Sequence, residues 1–374
     1  MATTNSTNKM YRQLAQKAGV EGSTAFLQIL RNQLSYDEAK LLVDLDNGAT
    51  REQLAGRLNI DEKRLSNMLQ DLVKRKFLLP AGSTGGGNPP GCVAFPGYNL
   101  PNTPRFFPHG PDTQRTQELW TELFRSGYMQ KSVIDSFLAR KKVTGLAPRR
   151  IIPARKALAL SPNLPRERVL WYEDIEQILR RQEVISTGKC GCRRVWGTCD
   201  TPMEVCLGFS KKGQPAKPGK KVLTTEEAIA LMDDAAERGL LHKPWNQIDL
   251  SVAGLCNCCP CCCVVIQPAI NLGVLHDVLE PSRFKAVIDE EKCQGCQTCV
   301  DRCHFEAIEM RKVPNSKKMK AFILDEECMG CGLCIIKCPH QAMHLELVRP
   351  PEHIPTHSHL ASRSSALSPP PAQM

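Results

Sequence analysis

Cysteine is the residue type best placed to do chemistry in this chain: it occurs 19 times among 374 residues, and all but Cys92 fall into four short groups. The groups are, in chain order, Cys190, Cys192, Cys199 and Cys206; Cys256, Cys258, Cys259, Cys261, Cys262 and Cys263; Cys293, Cys296, Cys299 and Cys303; and Cys328, Cys331, Cys334 and Cys338. Disulfide-rich proteins are usually small and secreted, whereas this cysteine count is odd and the first residues, MATTNSTNKM, lack the apolar segment of a signal peptide. The pattern therefore favours thiolates that hold metal in a reducing cytoplasm.

The last two groups share one spacing, C-x2-C-x2-C-x3-C. Two-residue gaps let a tight loop wrap three thiolates around one corner of an iron–sulfur cube, while the fourth cysteine opens the following helix and points toward another cube. Zinc is the weaker alternative, because zinc sites use pairs of C-x2-4-C and not triplets followed by a fourth cysteine.

On these two motifs, residues 284–346 resemble bacterial-type ferredoxins that carry two clusters. The resemblance implies two 4Fe–4S clusters with crossed ligands: Cys293, Cys296, Cys299 and Cys338 for the first, and Cys328, Cys331, Cys334 and Cys303 for the second. An internal repeat, AVIDEEKC and AFILDEECMGC, fits the pseudo-twofold of a ferredoxin-like β-α-β fold. In the family a proline follows the fourth cysteine, as Pro339 follows Cys338 here. The chain departs from that pattern in the other motif, where His304 follows Cys303. The departure leaves a backbone donor and a titratable ring near one cluster.

The run LCNCCPCCC at residues 255–263 holds six cysteines that cannot all face one metal, because neighbouring side chains diverge. Every third residue of the run gives a possible set of ligands, here called a frame. One frame is Cys256, Cys259 and Cys262, and the other is Cys258 and Cys261. Together with the four cysteines at 190–206, these ten thiols predict at least one further iron–sulfur cluster. A single zinc site and an apolar loop of free thiols are the alternatives. The run is similar to the CCG segments of heterodisulfide-reductase-like subunits, although Pro260 stands where their glycine would.

Three helices and a hairpin are predicted for residues 35–96. SYDE at 35–38 and TREQ at 50–53 are capping boxes, and Asp61 opens a third helix with an apolar stripe. The stripe consists of Leu65, Met68, Leu69, Leu72 and Val73. KFLLP and GCVAF pair as strands around a glycine-rich tip in this prediction, so the segment resembles a winged helix. Its third helix exposes a mixed set, Glu62, Lys63, Asn67 and Gln70, which favours protein docking over DNA binding.

Positive charge is concentrated in residues 139–170, where nine Lys or Arg and one acid, Glu167, give +8 of the net +10. Four prolines favour an extended strap. The strap is interpreted either as a solvated linker or as a docking surface for an acidic redox partner, with nucleic-acid backbone as a third alternative. No apolar stretch approaches 18 residues, so no membrane span is predicted.

The sequence thus predicts an α+β protein with an N-terminal winged helix, a cysteine-rich middle domain and a C-terminal ferredoxin-like dicluster domain. The predicted segments are a helical segment at 1–34, the winged-helix-like domain at 35–100, a proline-rich basic linker at 101–189, the cysteine-rich cluster-binding region at 190–283, the two-cluster domain at 284–348 and a disordered tail at 349–374.

At the scale of the whole chain, the winged helix, the CxCR segment at 190–193, the cysteine-dense loop and the dicluster domain resemble large ferredoxin-type iron–sulfur proteins of anaerobic bacteria and archaea. That resemblance implies an architecture more than a substrate, and no G-x-G-x-x-G follows a predicted strand. We therefore expect a cytoplasmic electron-transfer protein or subunit that passes single electrons to or from an oxidoreductase partner. Two alternatives remain: a redox-responsive DNA-binding regulator, and a reductase that uses an upstream iron–sulfur cluster.

Overall fold

The computed structural model describes residues 2–17, 22–46, 50–75, 77–78, 113–213, 220–248, 250, 254–314 and 318–355. The chain divides into two compact units, with the boundary between Asp135 and Ser136. None of the helices in these ranges is long and apolar enough to cross a membrane.

The described part of the first unit is built from helices. They are α1 (Ala2–Lys17), α2 (Thr24–Gln33), α3 (Tyr36–Asp46), α4 (Arg51–Leu58), α5 (Glu62–Lys74) and α6 (Thr113–Arg125). Side chains cap three of them as the sequence predicts. Ser35 and Glu38 each bond the other's backbone N–H, Thr50 and Gln53 do the same, and Asp61 accepts from the first turn of α5. The predicted helix starts are thereby confirmed.

Helix α5 packs its apolar stripe inward and leaves its polar face exposed. Leu65, Leu69 and Leu72 are buried, whereas Lys63 is exposed. The stripe therefore belongs to the hydrophobic core. The strands and tip that would complete a winged helix fall largely on residues 79–100, outside the described ranges, so the winged helix stays a prediction.

The second unit begins within α7 (Tyr128–Thr144) and is organised around a five-stranded sheet. Its middle part contains β1 (Arg149–Arg150), α8 (Arg155–Ala159), α9 (Ile175–Arg180), β2 (Val184–Gly188), α10 (Gly191–Trp196), β3 (Cys206–Ser210), β4 (Lys221–Leu223), α11 (Thr225–Glu237), β5 (Leu241–Lys243), β6 (Gly254–Cys258), α12 (Ile266–Asn271), α13 (Leu275–Val278) and β7 (Leu279–Glu280). The sheet has the antiparallel order β4-β2-β3-β6-β5.

The two faces of this sheet differ in chemistry, because successive side chains of a strand point to opposite sides. On one face, Ile185, Leu207 and Leu255 pack in a buried core with Ile178 of α9 and Met232 of α11. The opposite face carries the cysteines of β3 and β6. The apolar face fixes the sheet, and the thiol face is left to form a site.

The dicluster region repeats one β-α-β unit, as the sequence repeat predicts. Its elements are β8 (Phe284–Ile288), α14 (Thr298–Arg302), β9 (Ile308–Lys312), β10 (Met319–Ile323), α15 (Leu333–Ile336) and β11 (Met343–Leu347). Strand β8 pairs with β11 and β9 pairs with β10, both antiparallel. Each half contributes one cysteine loop that leads into a short helix. The fourth cysteine of each motif, Cys303 or Cys338, follows the end of that helix and does not open a helix, which corrects the expectation from the spacing.

The dicluster region is hydrogen-bonded directly to the middle of the chain. The Ala154 N–H donates to the Cys331 carbonyl at 2.9 Å, and the Leu345 N–H donates to the Ser161 hydroxyl at 2.7 Å. Arg302 donates to two carbonyl groups at the end of α11. One cysteine loop is therefore braced by residues outside the ferredoxin-like fold.

A buried ion pair gives the first prediction. Arg283 and Glu173 lie 2.7 Å apart with side-chain exposures of 2% and 1%. The substitution Glu173→Ala leaves the guanidinium buried without its carboxylate, so we expect a loss of about 3–5 kcal/mol in the free energy of unfolding. Denaturant unfolding of the anaerobic holoprotein measures it. The control is Glu226→Ala, which removes the exposed partner of Arg180 and should cost less than about 1 kcal/mol.

The basic segment 139–170 is built into this fold and is not an exposed strap. Arg149 and Arg150 are 7% and 1% exposed, and Arg150 donates to three backbone carbonyl groups. Arg155 and Lys156 form ion pairs with acids of α11. These four residues are structural, because Arg149 stacks on Trp245 while backbone carbonyls and carboxylates already pair with the other three, which corrects the expectation of an extended strap.

The last described residues also pack against the fold. The His353 ring nitrogen is 2.9 Å from the Pro281 carbonyl oxygen, and Ile354 is buried. Residues 356–374, which cover most of the predicted tail, lie outside the described ranges.

Candidate metal centres

The four thiols predicted for the first dicluster-domain cluster line one cavity. Cys293, Cys296 and Cys299 meet Cys338, which comes from the other cysteine motif. The cavity is partly open to solvent. The fold thus brings together the crossed set that the resemblance implies, while ligation itself stays a prediction.

The second predicted set gathers in the same crossed manner. Cys303 interacts electrostatically with Cys328 and Cys331, and Cys334 interacts with all three. Burial raises the pKa of Cys334 and raises that of Cys331 to about 12. Thiols in such a pocket become thiolates when a cation binds, so metal offsets the cost of burying their charge. Cys334 also interacts with Cys299, so the two sets adjoin.

Local backbone geometry at both sets fits an iron–sulfur cluster. The Ala307 N–H donates to the Cys303 sulfur at 3.4 Å, and the Ala342 N–H donates to the Cys338 sulfur at 3.3 Å. Gly330 has φ +64°, and a Cβ there would clash with a backbone carbonyl oxygen of β8. Glycine at this position permits the turn, and amides aimed at sulfur stabilise its negative charge.

His304 occupies the position where the other motif has proline, and it joins the dicluster region to α11. Its Nε2 lies 2.6 Å from the carbonyl oxygen of Gly239. A carbonyl only accepts, so Nε2 carries the proton and donates. Burial lowers the pKa of His304, which keeps the ring neutral. The departure from the family pattern therefore serves a contact between two parts of the chain.

Six of the ten upstream thiols form a closed ring. Each shifts the pKa of the next, so neighbours in the ring lie close together, in the order Cys190, Cys192, Cys263, Cys258, Cys256, Cys206 and back to Cys190. Shifts in pKa alternate around the ring: neighbouring thiols lower the pKa of Cys190 to about 3 and also lower those of Cys256 and Cys263, while the three thiols between them shift upward. Because the pKa values of three thiols are lowered, the ring is suited to hold several thiolates.

The pairing of β3 with β6 explains how three of the six ring thiols come together. Leu207 of β3 is paired with Leu255 of β6, and the strands are antiparallel, so Cys206 and Cys256 follow as the next opposed pair. Cys258 lies two residues beyond Cys256 and so projects from the same face. The register of two strands far apart in sequence therefore sets these three sulfurs side by side.

Two buried cations accompany the ring. Lys243 of β5 is paired with Cys256 in the sheet and is 2% exposed. Burial and the Arg149 charge oppose protonation of Lys243, yet the thiolates of the ring outweigh them and raise its pKa. Arg149, 7% exposed, lowers the pKa of Cys256 and stacks on Trp245 with its guanidinium carbon 3.4 Å from the ring centroid. Buried cations need nearby negative charge, which the ring supplies.

The remaining four upstream thiols gather at a second point. They are Cys199, Cys259, Cys261 and Cys262, and their sulfurs all lie within 4.8 Å of one another. Arg193 donates to the Cys259 sulfur at 3.3 Å, and the Thr198 hydroxyl lies 3.0 Å from the Cys262 sulfur. We call this set the tetrad and the six-thiol set the ring.

The sequence identified the upstream thiols but not how they divide. The predicted three-residue frames mix members of both sites, because they assume one conformation throughout the run. The run instead changes from strand to turn: Cys256 and Cys258 follow the two-residue period of β6, and Pro260 lies in a turn closed by the Cys263 N–H donating to the Cys259 carbonyl at 3.0 Å. Neither frame predicts that Lys243 lies beside the ring or that Arg193 bonds the tetrad.

Comparison with known proteins agrees with part of this geometry. A family of 4Fe-4S dicluster domains matches residues 292–342, which is less than half of the chain. No curated protein and no solved structure shows a significant match. The family match and the cysteine-dense region at 190–263 support an iron–sulfur protein that binds 4Fe–4S clusters.

Proposed function

We propose that this protein carries single electrons between an acidic redox donor and an oxidoreductase partner. The observation that carries the proposal is the dicluster domain, with its two crossed cysteine sets side by side. When bound, 4Fe–4S clusters supply one-electron oxidation and reduction. The chain would hold these groups on eight cysteines, four of which are buried (Cys293, Cys299, Cys328 and Cys334), and it joins the dicluster domain to the ring.

The chain also supplies a short connection between the dicluster domain and the ring. His304, next to Cys303, donates to the carbonyl of Gly239. Four residues further along, Lys243 of β5 is paired with Cys256 of the ring. Four residues span at most about 14 Å, so a further cluster held by the ring would lie close to the dicluster domain.

An acidic donor is proposed because of the charge that the fold leaves on the surface. The chain carries a net charge of +10. Of the basic segment, Lys142, Arg166 and Arg168 are exposed. Exposed basic residues steer an acidic partner toward the protein, and salt screens that attraction over about 8 Å at physiological ionic strength.

Stopped-flow reduction by an acidic ferredoxin or flavodoxin tests this function. We expect the second-order rate to fall as salt is added. The triple reversal Lys142→Glu, Arg166→Glu and Arg168→Glu should lower the rate about tenfold or more at low salt, because steering changes association rates by about 10-fold to 1000-fold. Iron content should not change, since none of the three residues is placed at a cysteine site.

A matched reversal separates local steering from net charge. Arg51→Glu, Lys63→Glu and Arg64→Glu change the net charge equally but lie on exposed faces of α4 and α5. This variant should retain most of the wild-type rate. Equal slowing by both triples would refute a local docking surface, and a protein that accepts no electrons from any low-potential donor would refute the carrier function.

A further inference from the structure

We propose that the tetrad, Cys199, Cys259, Cys261 and Cys262, binds one tetrahedral divalent metal ion, zinc or iron, that is separate from every iron–sulfur cluster. This site goes beyond the electron-transfer function. Its sulfurs lie within 4.8 Å of one another. Three of the separations are 3.6 Å (Cys199 to Cys262), 3.8 Å (Cys199 to Cys259) and 3.8 Å (Cys261 to Cys262).

These separations match a single ion. A metal–sulfur bond of about 2.3 Å in a tetrahedral site places neighbouring sulfurs about 3.8 Å apart. In a cubane each thiolate binds a different iron, so the cluster itself holds the four sulfurs further apart. The eight cysteines of the dicluster region, all of them described, include no three sulfurs as close together as those of the tetrad. The tetrad is thus packed more closely than either predicted cluster set.

The chain supplies the tetrad from two loops. Cys199 follows α10, and the other three thiols follow β6 in the turn around Pro260. The Cys262 N–H donates to the Cys259 carbonyl at 3.3 Å, which folds these ligands onto one side. Four thiolates in a tetrahedral arrangement are typical of zinc or of iron bound by sulfur alone.

Two further side chains complete the surroundings of the tetrad. Arg193, 2% exposed, bonds the Cys259 sulfur and also donates to the Pro202 carbonyl at 3.0 Å. Thr198 lies 3.0 Å from the Cys262 sulfur and donates to the Cys261 carbonyl at 3.2 Å. A donor held in place toward a thiolate ligand, as Arg193 is toward Cys259, orients that ligand, and the buried guanidinium offsets part of the negative charge of four thiolates around a divalent ion.

The position of the tetrad gives the ion a structural task. Cys259 and Cys262 are each bonded directly to a ring residue, Cys258 and Cys263. An ion at the tetrad would therefore fix both ends of the turn and hold these two ring thiols in place. The ion serves as a clamp for the cluster-binding run.

Elemental analysis and X-ray absorption of the full-length protein purified without oxygen test this site. We expect one metal per chain beyond the cluster iron, either one zinc or one iron in excess over acid-labile sulfide. Absorption at the zinc edge should show four sulfur ligands at about 2.3 Å if the ion is zinc, whereas the excess of iron over sulfide is the test if the ion is iron. Cys199→Ser and Cys261→Ser should each lose this ion or replace one sulfur by oxygen. Cys92→Ser, outside the four groups, should keep it.

Two outcomes would overturn the proposal. One is wild-type protein with no zinc and equal iron and sulfide. The other is loss of about four irons with their sulfide in Cys199→Ser, which would make the tetrad a cluster site. The wild-type measurement stands even where a variant fails to fold, and neither outcome bears on reduction of the dicluster domain.

Discussion

Replacing Cys303 by alanine should abolish the EPR signal of the cluster held mainly by Cys328, Cys331 and Cys334, although Cys303 belongs to the other motif. The fold places the Cys303 thiol among those three, and Cys334 interacts with all of them. Without the fourth thiolate one iron loses its ligand, so we expect that cluster to be lost or to become a three-iron species. The signal of the other cluster should remain.

The reciprocal substitution is the matched control. Cys338 lines the cavity of Cys293, Cys296 and Cys299, so Cys338→Ala should remove the signal of that set and leave the second. EPR of the two reduced variants, compared with wild type, decides the assignment. If each substitution removes the cluster of its own motif, the crossed topology is wrong.

Wild-type protein should carry more than about eight irons, because two 4Fe–4S clusters account for eight and a cluster in the ring would add to them. The double substitution Cys206→Ser and Cys256→Ser should return the content to about eight. These opposed sulfurs adjoin Lys243 through the sheet pairing of Lys243 with Cys256. Removing both weakens two sides of the ring and also leaves a buried cation with less negative charge nearby.

Iron and sulfide are measured on the folded fraction after anaerobic gel filtration, with Cys92→Ser as the control that should retain the wild-type content. The dicluster EPR signals should persist in the double variant, since neither cysteine belongs to those sets. A wild-type content of eight irons would rule out a cluster in the ring. Unchanged iron in the double variant would place the extra iron elsewhere.

The basic segment shows how burial changes the meaning of a charge pattern. Residues 139–170 carry +8, and the sequence favours a strap available to a partner. The fold instead commits Arg149 and Arg150 to buried contacts, and ion pairs neutralise Arg155 and Lys156. Reversing these four charges should therefore destabilise the folded domain, so a slower association with a redox partner would not report on steering.

The sequence by itself determined the features that depend on local spacing. The two C-x2-C-x2-C-x3-C motifs predict cysteine loops, and the family match over 292–342 agrees. Capping boxes at 35–38 and 50–53, with Asp61, predict helix starts that the structure confirms. These features depend on residues within about one turn of each other, so a linear pattern suffices to find them.

Only the tertiary structure decided how the ten upstream thiols divide into a ring of six and a tetrad of four. Cys206 meets Cys256 because β3 and β6 pair in one register, and a shift by one residue would turn those sulfurs to the opposite face. Lys243 is brought to the ring by its sheet pairing with Cys256, and Arg193 contacts the tetrad from 66 residues away along the chain. Strand register and burial are long-range properties set by the packing of the apolar face, so spacing along the chain does not encode them.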